Sequence, residues 1–397
     1  MKKRFPFWLI LIVLIPGLLI TAVLGLWAYV SATAQPLHPS ADEVPSVVRA
    51  APAPKWAGAV DEARRIVRAT LADQNWPGVS VAVGAGGEIA WAEGFGWADL
   101  ESHVKVSPDV RFRIGTASMA LTSAAVGLLV ENGRLKLDDE IQTYVPEFPK
   151  KQWPVTVRQL LGHVAGVRTD GGDEGPYSER CERPVEGLKL FKDKTLLFEP
   201  GMRYRFSSFG WILVSAAVEK AADEPFYAFM RSRIFEPLGM SDTMPDSAAD
   251  SIPNRVTFYF PRFAADNRYG PQSAPDVDYS CYTGSSAFLS TPSDLVRFAM
   301  AVNGGKLLQP STVQLLQTSL KLPTQVDTGY GLGWDLETVT LAGKQTRAVG
   351  HDGESIGGRV ASLMTLPDYG LVVAVTTNTS WADTFTLAQK IAEAFSK

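Results

Sequence analysis

Two stretches with a two-residue hydrophobic repeat lie near opposite ends of this chain, with a helical block between them. That arrangement constrains the fold more than any other feature. Near the start, Val79, Val81 and Val83 alternate with smaller residues, Gly84-Ala85-Gly86-Gly87 turns the chain, and Ile89 and Trp91 resume the alternation. Alternation about a glycine-rich turn predicts a β-hairpin. The turn lacks the third glycine and following helix of a dinucleotide loop. The repeat returns after Gly331, in segments near Leu332–Leu341, Thr346–Gly350, Arg359–Leu366 and Leu371–Thr377. Turns as short as Pro367-Asp368-Tyr369-Gly370 make neighbouring strands antiparallel. The economical architecture is one mixed sheet built from both ends of the chain, with an inserted α domain and a cleft between them as the ligand site.

The helices have their own signals. From Lys55 to Gln74, Val60, Ala63, Ile66, Val67 and Leu71 share one helical face. Arg111 to Leu135 enters as a basic-aromatic strand, breaks at Gly115-Thr116, and continues as an apolar helix ending at Asn132-Gly133. Thr156 to Gln159 has capping-box form, and Thr291-Pro292-Ser293-Asp294 is a helix start. Helical patterns cover Ser208 to Ala222 and Phe226 to Phe235, and Leu387, Ala388, Ile391 and Phe395 line a closing helix. The helical insert runs roughly from 135 to 325.

Met1-Lys2-Lys3-Arg4 is basic, and no charged residue occurs from Phe5 to Val30. The run exceeds the roughly 20 apolar residues that span a bilayer. Residues 1–4 then form a cytoplasmic flank, 5–30 an anchor, 31–55 a linker and 56–397 a domain outside the cytoplasm, in the periplasm. Ala32-Thr33-Ala34 supports the competing reading, a cleaved signal and a secreted domain. Lys and Arg number 38 against 42 Asp and Glu, with no basic stripe, so nucleic acid is not an expected partner. Neither metal-ligand spacings nor a P-loop occurs, and no cofactor or metal is expected. Cys181 and Cys281 are either a disulfide, in an oxidising compartment, or two buried thiols.

Gly353-Glu354-Ser355-Ile356-Gly357 matches G-x-S-x-G, but no histidine follows Ser355. It reads as a glycine-rich strand junction rather than a nucleophile elbow. His163 ends a helical segment, where a histidine satisfies carbonyls at the negative dipole end. Thr116 is a hydroxyl at the mouth of the apolar helix, with Met119 three positions on.

A set of segments in order now becomes specific. Gly115-Thr116-Ala117-Ser118-Met119 after Phe112-Arg113-Ile114 resembles the nucleophile region of the serine β-lactamase and penicillin-binding-protein superfamily, in the branch of class C-like esterases, D-peptidases and LACTB-type proteins. Leu160–Gly166 is similar to L-L-x-H-x-S-G. Pro200-Gly201 and Phe206–Trp211 resemble P-G…Y-S-N-x-G-Y. Pro237–Met240 resembles P-L-G-M, and Gly284–Leu295 resembles G-G-L-x-S-T-x-x-D-L. Tyr330–Trp334 matches Y-G-L-G-W, and His351-Asp352-Gly353-Glu354 resembles H-T-G-G. The similarity runs from about Trp56 to the C-terminus. It implies an α+β fold: an antiparallel sheet flanked by N- and C-terminal helices, plus an all-α insert.

The resemblance also assigns a site. The family pairs Ser-x-x-Lys with a proton-shuttling tyrosine. Here those positions hold Thr116, Met119 and Phe206, with Ser208 in place of the asparagine, and only His351 keeps its identity. Ser118, Tyr204, Asp352, Gly353 and Glu354 are the accompanying binding positions. Ser118 points off the face of Thr116, whereas Tyr204 on an extended segment shares the side of Phe206. Met and Phe cannot titrate, and losing one general base typically slows a reaction by about 10²–10⁴. Two expectations follow. One is a degenerate site that binds a cell-envelope small molecule, peptide, glycan or protein with impaired hydrolysis. The other is an active acyl hydrolase of esterase, peptidase or β-lactamase type, with Thr116 as nucleophile and His351 or Tyr204 as base.

Overall fold

The computed structural model describes residues 7–168, 180–246, 252–275, 277–355 and 357–397. The expected basic flank and Ile356 lie outside these. In chain order the helices are α1 (Phe7–Thr33), α2 (Ala57–Gln74), α3 (Ser118–Glu131), α4 (Val157–Leu161), α5 (Ser208–Ala222), α6 (Phe226–Met230), α7 (Pro292–Asn303), α8 (Pro310–Leu316) and α9 (Thr384–Phe395). The strands are β1 (Ser46–Val48), β2 (Gly78–Ala85), β3 (Glu88–Asp99), β4 (Val104–Lys105), β5 (Phe112–Arg113), β6 (Met244–Pro245), β7 (Tyr259–Pro261), β8 (Pro271–Ser273), β9 (Phe288–Ser290), β10 (Asp335–Leu341), β11 (Lys344–Ser355), β12 (Gly358–Leu366) and β13 (Leu371–Thr377).

The main sheet has the order β1-β3-β2-β13-β12-β11-β10, with β4 beside β3. Both ends of the chain build it, and they join where β2 pairs with β13, from Val79 opposite Thr377 to Ala85 opposite Leu371. Every pairing in it is antiparallel, which corrects the expectation of a mixed sheet. Short hairpins join β2 to β3 and β10 through β13, and they permit nothing else.

Side chains that alternate along β2 and β13 sort to two faces. Val79, Val81, Val83, Val373 and Val375 pack with Val60, Ala63, Val67 and Leu71 of α2 and with Leu387, Ala388, Ile391 and Phe395 of α9. The opposite face carries smaller groups, Ala82 and Ala374, and meets Val296 and Ala299 of α7. The smallness is required there, because a Cβ on Gly84 would stand 2.7 Å from the Val296 side chain and 2.8 Å from Met300 Sδ. Helix α3, apolar on all sides and almost wholly buried, is the axle of the second layer.

The insert is mainly helical but not all-α. β5, β9 and β6 form a small sheet, and β7 pairs with β8. The capping box is present at α4, where Gln159 N–H donates to Thr156 Oγ1 and Thr156 N–H donates to Gln159 Oε1. Thr291 caps α7. Cys181 and Cys281 form a disulfide, with Cα atoms 4.8 Å apart.

The stretch expected to be a linker is instead seated on the domain. Helix α1 continues to Thr33, Leu37 N–H donates to Asn75 Oδ1, and β1 pairs with β3 through Ser46, Val47 and Val48. Its Ala-, Pro-, Ser- and Val-rich composition hid an edge strand, because three residues are too few to show a period.

Candidate active site

The Ile114–Thr116 turn lies directly against β11. A Cβ on Gly353 would stand 2.0 Å from Ile114 O, and one on Gly115 would stand 2.1 Å from Glu354 O. Gly115 also sits at φ +52°, so glycine is required there twice over. This approach places Thr116, only 3% exposed, between two backbone groups of β11. Its hydroxyl accepts from Glu354 N–H at 2.9 Å and donates to Asp352 O at 3.2 Å. No titratable side chain is among these partners. The β11 ladder with β12 shifts register between Gly353 and Glu354, at the point of closest approach.

Met119 is fully buried at the first turn of α3. Its sulfur lies 3.9 Å from the hydroxyl of Tyr330. That hydroxyl is 2.8 Å from His351 Nε2, and His351 Nδ1 is 2.6 Å from Asp352 O. A carbonyl only accepts, so the network assigns the proton to Nδ1 and makes Tyr330 the donor to Nε2. Burial, and then the charge of Asp335, pushes the Tyr330 hydroxyl well above its usual range, so it stays protonated and donating.

Phe206 stacks on His163 with ring centres 4.3 Å apart, and Tyr204 meets the same ring edge-on at 6.0 Å. The two therefore share a side, as expected, although their segment forms no strand. His163 does not serve helix carbonyls. Its Nδ1 accepts from Ser207 N–H at 3.1 Å, and its own carbonyl accepts from Arg205 N–H at 2.8 Å. It thus holds the Tyr204–Ser207 segment against the cleft from a left-handed position at φ +58°. Burial, with His351 close by, lowers the pKa of His163 well below its usual value, and the ring is neutral.

The remaining expected positions separate. Ser118 is buried, and its hydroxyl donates to Gly115 O at 2.7 Å, so it braces the turn and does not face a ligand. Ser207, not Ser208, caps α5, and Ser208 is the buried first residue of that helix. The Asp352 side chain projects to the opposite face of the sheet from His351, toward the start of α9. There it pairs with Arg359 at 3.0 Å and accepts from Ser362, whose hydroxyl also meets Thr384. Its placement as a cleft residue is corrected by the alternation of β11. Burial pushes this carboxyl up to about 6, against the opposing pulls of Arg359 and Ser362. The Glu354 side chain is exposed, and only its backbone reaches Thr116.

Tyr330 and Asp335 complete the site and were not singled out from the sequence. The signal was present in Tyr330-Gly331-Leu332-Gly333-Trp334, whose tight turn brings Tyr330 beside β11. A cavity lined by Asp335, Glu337, His351, Asp352 and Phe385 holds only about 10 Å³, room for at most one water. The far larger cleft, of about 720 Å³, lies on the insert along α6 and Met240–Pro245.

Known proteins share this architecture. The octameric penicillin-binding protein homologue from Pyrococcus abyssi superposes with a TM-score of 0.71 at 24% identity, covering 83% of this chain and 76% of that one. The D-amino acid amidase from Ochrobactrum anthropi SV3, complexed with L-phenylalanine amide, gives 0.71 at 22% identity, covering 85% and 98%. In sequence, the mitochondrial serine β-lactamase-like protein LACTB of Homo sapiens is 27% identical, over 86% of this chain and 80% of its own length. Penicillin-binding protein 4* of Bacillus subtilis is 25% identical, over 72% and 64%. The family model described as Beta-lactamase matches residues 63–394, from α2 through α9 and including every residue of the Thr116 site. The ordered segments, the sheet built from both chain ends and this match agree: the chain belongs to the β-lactamase family of serine hydrolase-like proteins.

Proposed function

We propose that this is an extracytoplasmic β-lactamase-related protein whose Thr116 site is degenerate. It binds a cell-envelope peptide, glycan or protein with impaired hydrolysis, and the segment around Leu14–Thr33 anchors it to the membrane. One observation carries the reading. The Thr116 hydroxyl is engaged on both sides by the backbone of β11, and among the described residues no titratable side chain is hydrogen-bonded to it. A hydroxyl is a weak nucleophile unless a base takes its proton. The Glu354 N–H, which would otherwise be free to stabilise an oxyanion, is already donating to that hydroxyl. Met119 and Phe206 supply no proton carrier in its place. The solved amidase complexed with L-phenylalanine amide favours an amide-bearing ligand for the cleft.

The second reading, an acyl hydrolase with Thr116 as nucleophile, draws on the Tyr330–His351 pair. His351 donates to the same Asp352 carbonyl that Thr116 contacts. Covalent trapping separates the two. The full chain is treated with a fluorophosphonate and with a β-lactam, and intact mass is measured. The degenerate reading expects no stoichiometric adduct and no ester turnover. An adduct mapping to Thr116 and abolished in Thr116→Ala would establish the hydrolase instead.

A further inference from the structure

We infer that the loop Arg262–Tyr269, together with Trp381, is a membrane-docking face that holds one edge of the Thr116 site at the bilayer surface. The inference rests on the anchor reading of α1 and is independent of whether Thr116 reacts. Helix α1 spans 27 residues, about 40 Å at 1.5 Å per residue, against a hydrocarbon core of about 30 Å. Its last turns therefore rise into the headgroup layer, where Trp27 and Tyr29 suit the interface. Those turns are fastened to the domain. Trp27 Nε1–H donates to the Tyr269 hydroxyl at 3.1 Å, Arg262 donates to Thr33 Oγ1 at 2.8 Å, and Val30 is buried. Whatever depth Trp27 occupies, Tyr269 shares it.

The loop has a matching chemistry. Its tip, Ala264-Ala265, is exposed and apolar, and both alanines are held in the left-handed region at φ +53° and +54°. Such a conformation costs about 1–2 kcal/mol per residue, and among the described residues neither alanine belongs to a core cluster. Arg262, bonded to Thr33, and Arg268, paired with Asp266 at 2.7 Å, flank the tip, so the loop presents polar groups at headgroup depth on either side of the apolar tip. Trp381 is 52% exposed on the same side, because Asn267 Nδ2 donates to the carbonyls of Ser380 and Trp381. The Trp381 ring covers Gly358, where a Cβ would stand 2.9 Å from it. Gly358 opens β12 opposite Ser355, one residue beyond the Glu354 that holds Thr116. A continuous series of contacts thus links the anchor to the site, so the ligand class it fits is one presented at a lipid surface.

The test uses the full chain in phosphatidylcholine vesicles that carry a nitroxide on a fraction of the headgroups, with intact mass establishing that Leu14–Thr33 is retained. A fluorophore is attached at Ala264→Cys or, as the contrasting position, at Lys344→Cys at the other end of β11. Loss of fluorescence at 264 and none at 344 is the expected result. Equal loss at both, or none at either, overturns the proposal, as does a chain that is cleaved and fails to float with the vesicles. A second measurement needs no label. Quenching of the native tryptophans by lipids brominated near the headgroup is expected to fall in Trp381→Phe, and unchanged quenching counts against the docking face.

Discussion

Thr116 Oγ1 and Glu354 N–H lie 2.9 Å apart, joining the mouth of the central helix to the strand that faces it. In a working acyl-transfer site the hydroxyl would face a base and the N–H would face an oxyanion. Here they satisfy one another, and the hydroxyl bridges the turn to β11. Thr116→Ala leaves the Glu354 N–H unpaired and removes one of the two donors, beside His351 Nδ1, from the Asp352 carbonyl, and is expected to destabilise the protein by about 1–3 kcal/mol. Thr116→Ser keeps both bonds and should lie near wild type. Urea unfolding of the two variants decides this, and equal stability of alanine and wild type would remove the structural role.

Gly115→Ala should be worse. The added Cβ enters both a left-handed conformation and the 2.1 Å approach to Glu354 O. The combined strain is roughly 3 kcal/mol or more, read as a fall in melting temperature. A neutral result would mean that β11 and the turn yield freely.

Met119→Lys alone buries an unpaired ammonium beside Tyr330 and is expected to lower stability by several kcal/mol, on the order of 3. Combined with Thr116→Ser and Phe206→Tyr, the lysine gains partners. The triple variant should hydrolyse a p-nitrophenyl ester above the wild-type rate. A folded but inert triple variant would show that these three positions are not the ones that matter.

Asp352 provides a pH test. Its folded-state pKa, about 6, is raised above the usual carboxyl value by burial. The native state therefore favours the protonated form. The stability this contributes is full below the ordinary carboxyl range and is lost as pH rises through about 6. Asp352→Asn imitates the protonated form. Between pH 4 and pH 7 it should gain on wild type by on the order of 3 kcal/mol. A stability difference that is flat across that range would contradict the burial argument.

The Cys181–Cys281 bridge closes a loop with a sequence separation of 100. In the chain-entropy account such a loop contributes about 4.7 kcal/mol. Replacing both cysteines with alanine, or reducing the bridge, should lower the denaturant midpoint accordingly, and an unchanged midpoint would show that the insert holds its shape without it.

Much of the fold was legible because it is written in periods. The valines of β2 and β13 alternate over enough residues to show a strand, and the apolar face of α2 is long enough to show a helix. The capping box at Thr156 and the Thr291 start are local chemistry and appeared where they were read. What failed to show was short or made by register. β1 has three residues, and the small sheet of β5, β9 and β6 unites segments far apart in sequence. At the site, the order of motifs pointed to Thr116, Met119, Phe206 and His351; the last three join in one set of contacts through Tyr330 and His163. The role of Tyr330 depends on a turn that folds it back beside β11. The outward turn of Asp352 follows from which face of that strand meets α9, and a single sequence does not say which face is which.

The seating of β1 on β3 bears on how this molecule carries load. Three strand residues and the Leu37–Asn75 bond tie the N-terminal helix to the rim of the main sheet. Force along that helix meets the domain first at the Arg262–Tyr269 loop and then at its sheet edge, rather than through a slack leash. Turning α1 away from the domain therefore requires breaking the Trp27–Tyr269 and Arg262–Thr33 bonds and peeling β1 from β3 before any of the core is disturbed.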